Sequence, residues 1–192
     1  MAYTPSLDPA LYAVANGRTD QQLMDLMAQQ ALSPITTSSK LPRVALVVGP
    51  SPFTMPRGWE FFLTSPYEGV SYIATVLHNA GYPVKIIDVR YDKHPLESAH
   101  RQILESCDVL GLATYEDCYP FLEQLIREVK HSRPRMPIIA GGSLVTSVPH
   151  VFMRETQIDV AVISEGELTI LEVMERSPRG SGARGWRRSR ES

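Results

Sequence analysis

Cysteine is scarce: Cys107 and Cys118 are the only two in 192 residues. Two thiols leave no disulfide framework, and a reducing cytoplasm is the expected location. The opening stretch, MAYTPSLDPALYAVANGRTD, lacks the basic-then-apolar order of a secretory signal. Long apolar runs are missing too; none approaches the ~20 residues that cross a bilayer, so no membrane is expected. Charge of one sign is also lacking, since 19 Lys and Arg stand against 21 Asp and Glu for a net −2. Such a balance sets up no field that would gather nucleic acid or an anionic surface.

What is present is enough apolar material, 43% of the chain, to build a core. From Leu41 onward it comes in a regular rhythm. Short apolar runs stand at 43–49 (RVALVVG), 84–89 (VKIIDV), 108–114 (DVLGLAT), 136–142 (MPIIAGG) and 158–164 (IDVAVIS). Each is long enough only for a strand, and each is apolar on both faces, as parallel strands covered by helices must be. Between them lie amphipathic stretches. Ser65 is placed to cap the first, with Pro66 at N1 and Glu68 at N3, Val70, Ile73, Ala74 and Leu77 on one face, and Gly81 closing it. Further helices are expected over 96–107, 119–132 and 167–175. The pattern predicts a doubly wound α/β domain, flavodoxin-like or Rossmann-like, with five parallel strands in the order 2-1-3-4-5.

Two flanks depart from this rhythm. Residues 1–40 read as a helical extension and linker, with Asp8-Pro9 and Gly17 bounding one helix. A capping box at Thr19 and Gln22 opens another, ahead of Leu23, Leu26, Met27 and Leu32. The domain proper is expected over 41–175. Residues 176–192, RSPRGSGARGWRRSRES, have no apolar period and are expected to be disordered.

In such sheets ligands bind beyond the carboxyl ends of the strands. The common occupants leave residue signatures, and these are absent. GPSPFTMPRG follows the first strand where a dinucleotide site needs G-x-G-x-x-G, and Gly-Lys-Ser/Thr occurs nowhere. A flavin phosphate loop would be short and hydroxyl-rich, whereas this loop carries Pro50, Pro52, Phe53, Pro56, Trp59, Phe61 and Phe62. A receiver domain would place acidic groups where Gly49-Pro50 and Thr114-Tyr115 stand. The remaining features suit a broad, mostly apolar ligand with a polar tail. Gly141 and Gly142 would let the backbone approach that tail, with Ser143, Thr146 and Thr114 as hydrogen-bonding groups. Taken alone, the two glycines read as a tight turn needing positive φ; taken with the other strand-end loops, they favour a ligand.

Four stretches together carry a resemblance: SPYEGVSYIATVLHNAGYPVKIIDV, CDVLGLAT, IREVKHSRPRMPIIAGGSLVTSVPH and IDVAVISEGELTILEV. In order and spacing, 43–174 resembles the cobalamin-binding domain at the N-terminus of radical S-adenosylmethionine enzymes. The resemblance implies a corrin ring over the strand ends and a nucleotide tail threaded into the sheet. It places Thr114, Gly141, Gly142 and Ser143 beside the tail and Ser164, Glu165 and Gly166 at the rim, with Tyr115, Leu144 and Thr146 also expected among the cofactor-binding residues. The loop 53–62 with Tyr67, Glu68 and Gly69 would meet the lower corrin face or the tail. Related cobalamin domains of the mutase and methionine synthase types carry D-x-H-x-x-G after the first strand, where this chain has SPYEGVS. Asp92-Lys93-His94 is the nearest substitute, but it follows the second strand, with Glu97 where Gly should be. His94 is expected on a surface loop, His78 inside a helix, His131 at a helix end and His150 in a first turn. The resemblance therefore implies cobalamin bound histidine-off, with no protein ligand to the metal.

The same resemblance implies a radical S-adenosylmethionine domain, in cis or in trans, holding S-adenosylmethionine and a [4Fe–4S] cluster. Such clusters use thiolates in a C-x-x-x-C-x-x-C run, and this chain has none. The expectation is a fragment of a longer methyltransferase or cyclase, without catalytic residues of its own. Two other functions stay open. One is a stand-alone enzyme using Glu116, Asp117 and Glu165 as acid–base groups. The other is a cobalamin-dependent regulatory domain that contacts a partner.

Overall fold

Runs apolar on both faces need helices above and below them, and that is how the chain folds. The structure, a computed structural model, describes residues 12–13, 41–50 and 67–176. Along these the elements are β1 Tyr12–Ala13, β2 Val44–Val48, α1 Glu68–Asn79, β3 Val84–Asp88, α2 Pro95–Ser106 and β4 Val109–Ala113. A 3-10 turn at Glu116–Cys118 leads into α3 Tyr119–Ser132, then β5 Ile138–Gly141, α4 Ser143–Ser147, α5 Pro149–Glu155, β6 Val160–Val162 and α6 Glu167–Arg176. All strand pairs are parallel, in the order β1-β6-β5-β4-β2-β3. Counted from Val44–Val48, the five principal strands stand 2-1-3-4-5, the order read from the sequence.

The period-two geometry of a strand divides the core in two. Ala45, Val47, Ile87, Leu110, Leu112, Ile138 and Ala140 pack with Ile103 of α2, Leu122, Leu125 and Ile126 of α3, and Phe152 of α5. Val44, Leu46, Val48, Val109, Ile139 and Val162 pack with Val70, Val76 and Leu77 of α1 and with Ile170, Val173 and Met174 of α6. Central β2 buries all five of its residues, whereas β3, at the edge, exposes Lys85, Ile86 and Asp88.

Four sequence expectations are corrected here. Tyr12 and Ala13 were expected in a helix; they instead extend beside β6, pairing with Ala161 and Val162. The outer edge of β6 has backbone groups without a strand partner, and an extended pair satisfies them where a helix would not. Glu68 is the first helical residue of α1 rather than N3, with Tyr67 at the N-cap and no side-chain cap. The strand over 158–164 is only Val160–Val162, because Ser164 turns to φ 60°. The helix α4 occupies the strand-end segment 141–149, read as a ligand loop, whereas α5 starts with Pro149 at N1 and has His150 in its first turn, as expected. The helices expected at 19–32, the loop 53–62, Ser65 and the tail 177–192 lie outside the described residues.

A buried ion pair closes the amino end of the sheet. Lys130 Nζ donates to Asp159 Oδ2 at 2.6 Å and to the Met136 carbonyl at 2.8 Å. Asp159 Oδ2 also accepts the Ile138 N–H at 2.9 Å, tying α3 to the start of β5 and β6. Lys130→Met keeps the apolar stem but leaves two acceptors short of a donor. It is expected to cost about 2 kcal/mol in urea unfolding; an unchanged midpoint would show that the pair contributes nothing net.

Candidate functional site

The carboxyl ends of β4 and β5 lie side by side, with Ala113 paired to Gly141. The next residue must turn sharply under the preceding loop. Gly142 does so at φ 121° and ψ −175°, a region that side chains exclude. A Cβ there would sit 2.5 Å from the Thr114 carbonyl oxygen and 3.0 Å from its nitrogen. The turn is closed by the Thr114 N–H donating to Gly141 O at 2.8 Å and the Leu144 N–H donating to Thr114 O at 3.2 Å. The Thr114 hydroxyl, fully buried, donates to Gly141 O at 3.0 Å and accepts the Val145 N–H at 3.3 Å. The polar groups of Thr114 are thus engaged by the chain itself.

Gly141 is a different case. A Cβ there would meet only Val162, at 3.6 Å, an ordinary contact. At Gly69, in the first turn of α1, a Cβ would meet nothing within 4 Å. Neither position needs glycine for the fold, yet both border the same cavity of about 180 Å³. It lies between the sheet and the helices α1 and α6. Its walls are Leu46, Val70, Ile73, Gly111, Leu112, Ala113, Ile139, Val162 and Ile170, and Tyr115, Gly142 and the segment Ser164–Glu167 complete its lining.

Of the residues chosen from sequence, Gly69, Tyr115, Gly141, Gly142, Ser164, Glu165 and Gly166 therefore come together around the cavity. Tyr67, Glu68, Thr114, Ser143, Leu144 and Thr146 are not part of its lining. Ser143 Oγ donates to Glu116 Oε2 at 3.0 Å. Thr146 Oγ1 accepts the Ser164 N–H at 3.1 Å, holding that left-handed residue at the rim. Leu144 packs into the core, and Glu68 is exposed. Sequence reasoning missed the aliphatic walls and Gly111. A glycine inside the strand DVLGLAT was the available signal, since it marks close approach; a Cβ at Gly111 would lie 2.5 Å from Leu46 Cδ2.

Beside the cavity stands an aromatic and ionic cluster. The rings of Tyr67 and Tyr115 lie 4.9 Å apart, and the Arg90 guanidinium sits 5.0 Å from the Tyr67 centroid. Arg90 Nε donates to both carboxylate oxygens of Asp88 at 3.0 Å, and its Nη2 to Oδ2 at 2.6 Å. Burial raises the Asp88 carboxyl, but these hydrogen bonds outweigh it and hold the group below the usual carboxylate range. Burial pushes both tyrosine hydroxyls above their ordinary value.

Cys118 lies close to this end, its Sγ donating to the Pro50 carbonyl at 3.0 Å. Burial raises its pKa to about 12 and that of Cys107 to about 11. Both thiols are protonated at neutral pH and enclosed. Iodoacetamide at pH 8 is expected to label neither until the protein unfolds; labelling of native protein would contradict this. Thiols whose folded pKa lies above the unfolded value of 9.0 stabilise fully below pH 9 and lose that contribution as pH rises toward 11 and 12.

The histidines stand away from the cavity. His94 is the exposed N-cap of α2, its backbone N–H on Asp92 Oδ1 at 3.0 Å. His78 and His131 lie in the last turns of α1 and α3, and His150 follows Pro149 in the first turn of α5. Among the described residues no group of three His, Cys, Asp or Glu is arranged to hold a metal ion. Among them, too, no helix is long and apolar enough to cross a membrane.

Residues 64–174, more than half of the chain, match the family model of the B12 binding domain. No curated protein matches the chain.

Proposed function

The chain belongs to the B12-binding domain family, and on that premise we propose that it holds cobalamin for a radical S-adenosylmethionine enzyme, whose catalytic domain is supplied in cis or in trans. The observation that carries the reading of the site is the pair Gly69 and Gly141. Both lack a side chain where the fold would accept one, and both border an apolar cavity at the strand ends. That absence leaves a space of the right chemistry for a cofactor's tail, with the corrin ring above it.

Gly69, Gly141, Gly142 and Tyr115 would flank the tail, with Ser164, Glu165 and Gly166 at the rim under the ring. Tyr67, Glu68, Thr114, Ser143, Leu144 and Thr146 would shape these positions or meet the cofactor's edge. Bound cobalamin supplies the chemistry of a cobalt–carbon bond, in a methyltransferase or a cyclase. The protein's part is to exclude water with the aliphatic wall and to fix the cofactor's orientation.

Histidine-off binding is part of the reading. It is supported by the five histidines standing outside the cavity lining. The local polarity of the strand-end loops would then tune the metal. S-adenosylmethionine and a [4Fe–4S] cluster belong to the catalytic partner, since two core-buried thiols cannot supply a three-thiolate set.

The test is colour. Purified chain mixed with hydroxocobalamin and desalted is expected to retain the corrinoid spectrum; a colourless protein would end the reading. Electron paramagnetic resonance of the bound, one-electron-reduced cofactor is expected to show no nitrogen splitting from a protein imidazole. The loaded chain by itself is expected to leave S-adenosylmethionine uncleaved.

A further inference from the structure

We propose that the cavity selects among corrinoids by their lower base, accepting an alkylbenzimidazole and rejecting a purine. The proposal rests on the reading above, in which the nucleotide tail enters between the sheet and the helices α1 and α6. It adds a specificity that follows from the walls.

Much of the lining is aliphatic: Leu46, Val70, Ile73, Ile139, Val162 and Ile170. Three backbone carbonyls of the lining are already used. Gly141 O accepts both the N–H and the hydroxyl of Thr114. Gly142 O accepts the Thr146 N–H, and Gly166 O accepts the Ile170 N–H. The hydroxyl of Thr114 is enclosed and doubly engaged. The polar side chains of the lining belong to Tyr115, Ser164, Glu165 and Glu167, and all four follow the strand ends.

Size agrees with a flat ring. An apolar cavity of about 150 Å³ stays dry and takes up benzene, and this one measures about 180 Å³. A dimethylbenzimidazole brings carbon edges and methyl groups to such a wall. Adenine brings an exocyclic amine and two more ring nitrogens than the benzimidazole, and these would leave water without partners. Apolar sites reject unpaired polar atoms moderately, by about 10- to 100-fold.

The experiment measures binding of three corrinoids to the whole chain by absorbance titration: cobalamin, adeninylcobamide, which carries adenine as its lower base, and cobinamide, which has no lower base. Cobalamin is expected to bind about 10- to 100-fold tighter than adeninylcobamide, with cobinamide weaker than cobalamin. Equal binding of the first two, with cobinamide weaker, overturns the selectivity and leaves the tail reading intact. Equal binding of all three places the tail elsewhere and also overturns it. Binding of none overturns the cofactor reading itself. Val162→Thr keeps the wall's shape and adds one hydroxyl, so the ratio between the two bases is expected to narrow. A folded variant with an unchanged ratio would show that this wall does not read the base.

Discussion

Gly141→Leu is expected to weaken cobalamin binding by at least about 100-fold while the protein stays folded. A Cβ at this position meets only Val162, at 3.6 Å, so the strand accepts a side chain. Replacing a strand glycine also reduces the freedom of the unfolded chain, worth about 0.5–1 kcal/mol in the variant's favour. The rest of the leucine has to go somewhere, and the cavity of about 180 Å³ that Gly141 borders is the open direction. The added carbons compete directly with the cofactor's tail. Circular dichroism and the melting temperature should remain near those of the parent protein, while the corrinoid is lost on desalting. Gly141→Ala, with one carbon, should show a smaller loss. A folded Gly141→Leu protein that keeps its colour would remove the reason for assigning the tail to this cavity.

Gly142→Ala, one residue on, is expected to do the reverse and damage the fold first. The φ of 121° with ψ of −175° lies in backbone space that costs a non-glycine residue about 1–3 kcal/mol. The new Cβ would also fall 2.5 Å from the Thr114 carbonyl oxygen. That oxygen cannot withdraw freely, because it accepts the Leu144 N–H and sits on a loop whose own N–H is bound to Gly141 O. Relief requires opening the turn that connects β4, β5 and α4, for a total of about 3 kcal/mol or more. Urea unfolding should show the loss directly, and corrinoid binding should fall only with the folded fraction. Near-parental stability would mean that the turn is slacker than its hydrogen bonds imply.

The contrast explains how much of the site was legible. Gly141 and Gly142 are identical letters in MPIIAGG, and their two explanations, ligand space and positive φ, could not be divided between them from sequence. The structure gives the positive φ to Gly142 alone, and leaves Gly141 in a strand that would accept a side chain beside the cavity. Thr114 and Thr146 illustrate the same limit: hydroxyls beyond strand ends look like ligand groups, yet one locks the turn and the other holds the Ser164 N–H. Gly69 lines the cavity, while Tyr67 and Glu68 beside it do not; α1 begins at Glu68, which is exposed, and the Tyr67 ring lies against Tyr115. The aliphatic wall was invisible as a site because Leu46, Ile139 and Val162 read only as strand core.

The sequence by itself determined the order of the five principal strands and their parallel sheet, because apolar runs too short for helices must be covered on both faces. It also placed the carboxyl ends of the strands together at one edge of the sheet, because strand direction follows from the βα repeat. Tertiary structure alone decided which glycine makes the turn and which could carry a side chain, and which hydroxyls the chain uses itself. It also decided that Tyr12–Ala13 extends along β6 instead of coiling. Those outcomes depend on what lies across a few ångströms from residues distant in the chain, and spacing along one strand of text carries no such distances.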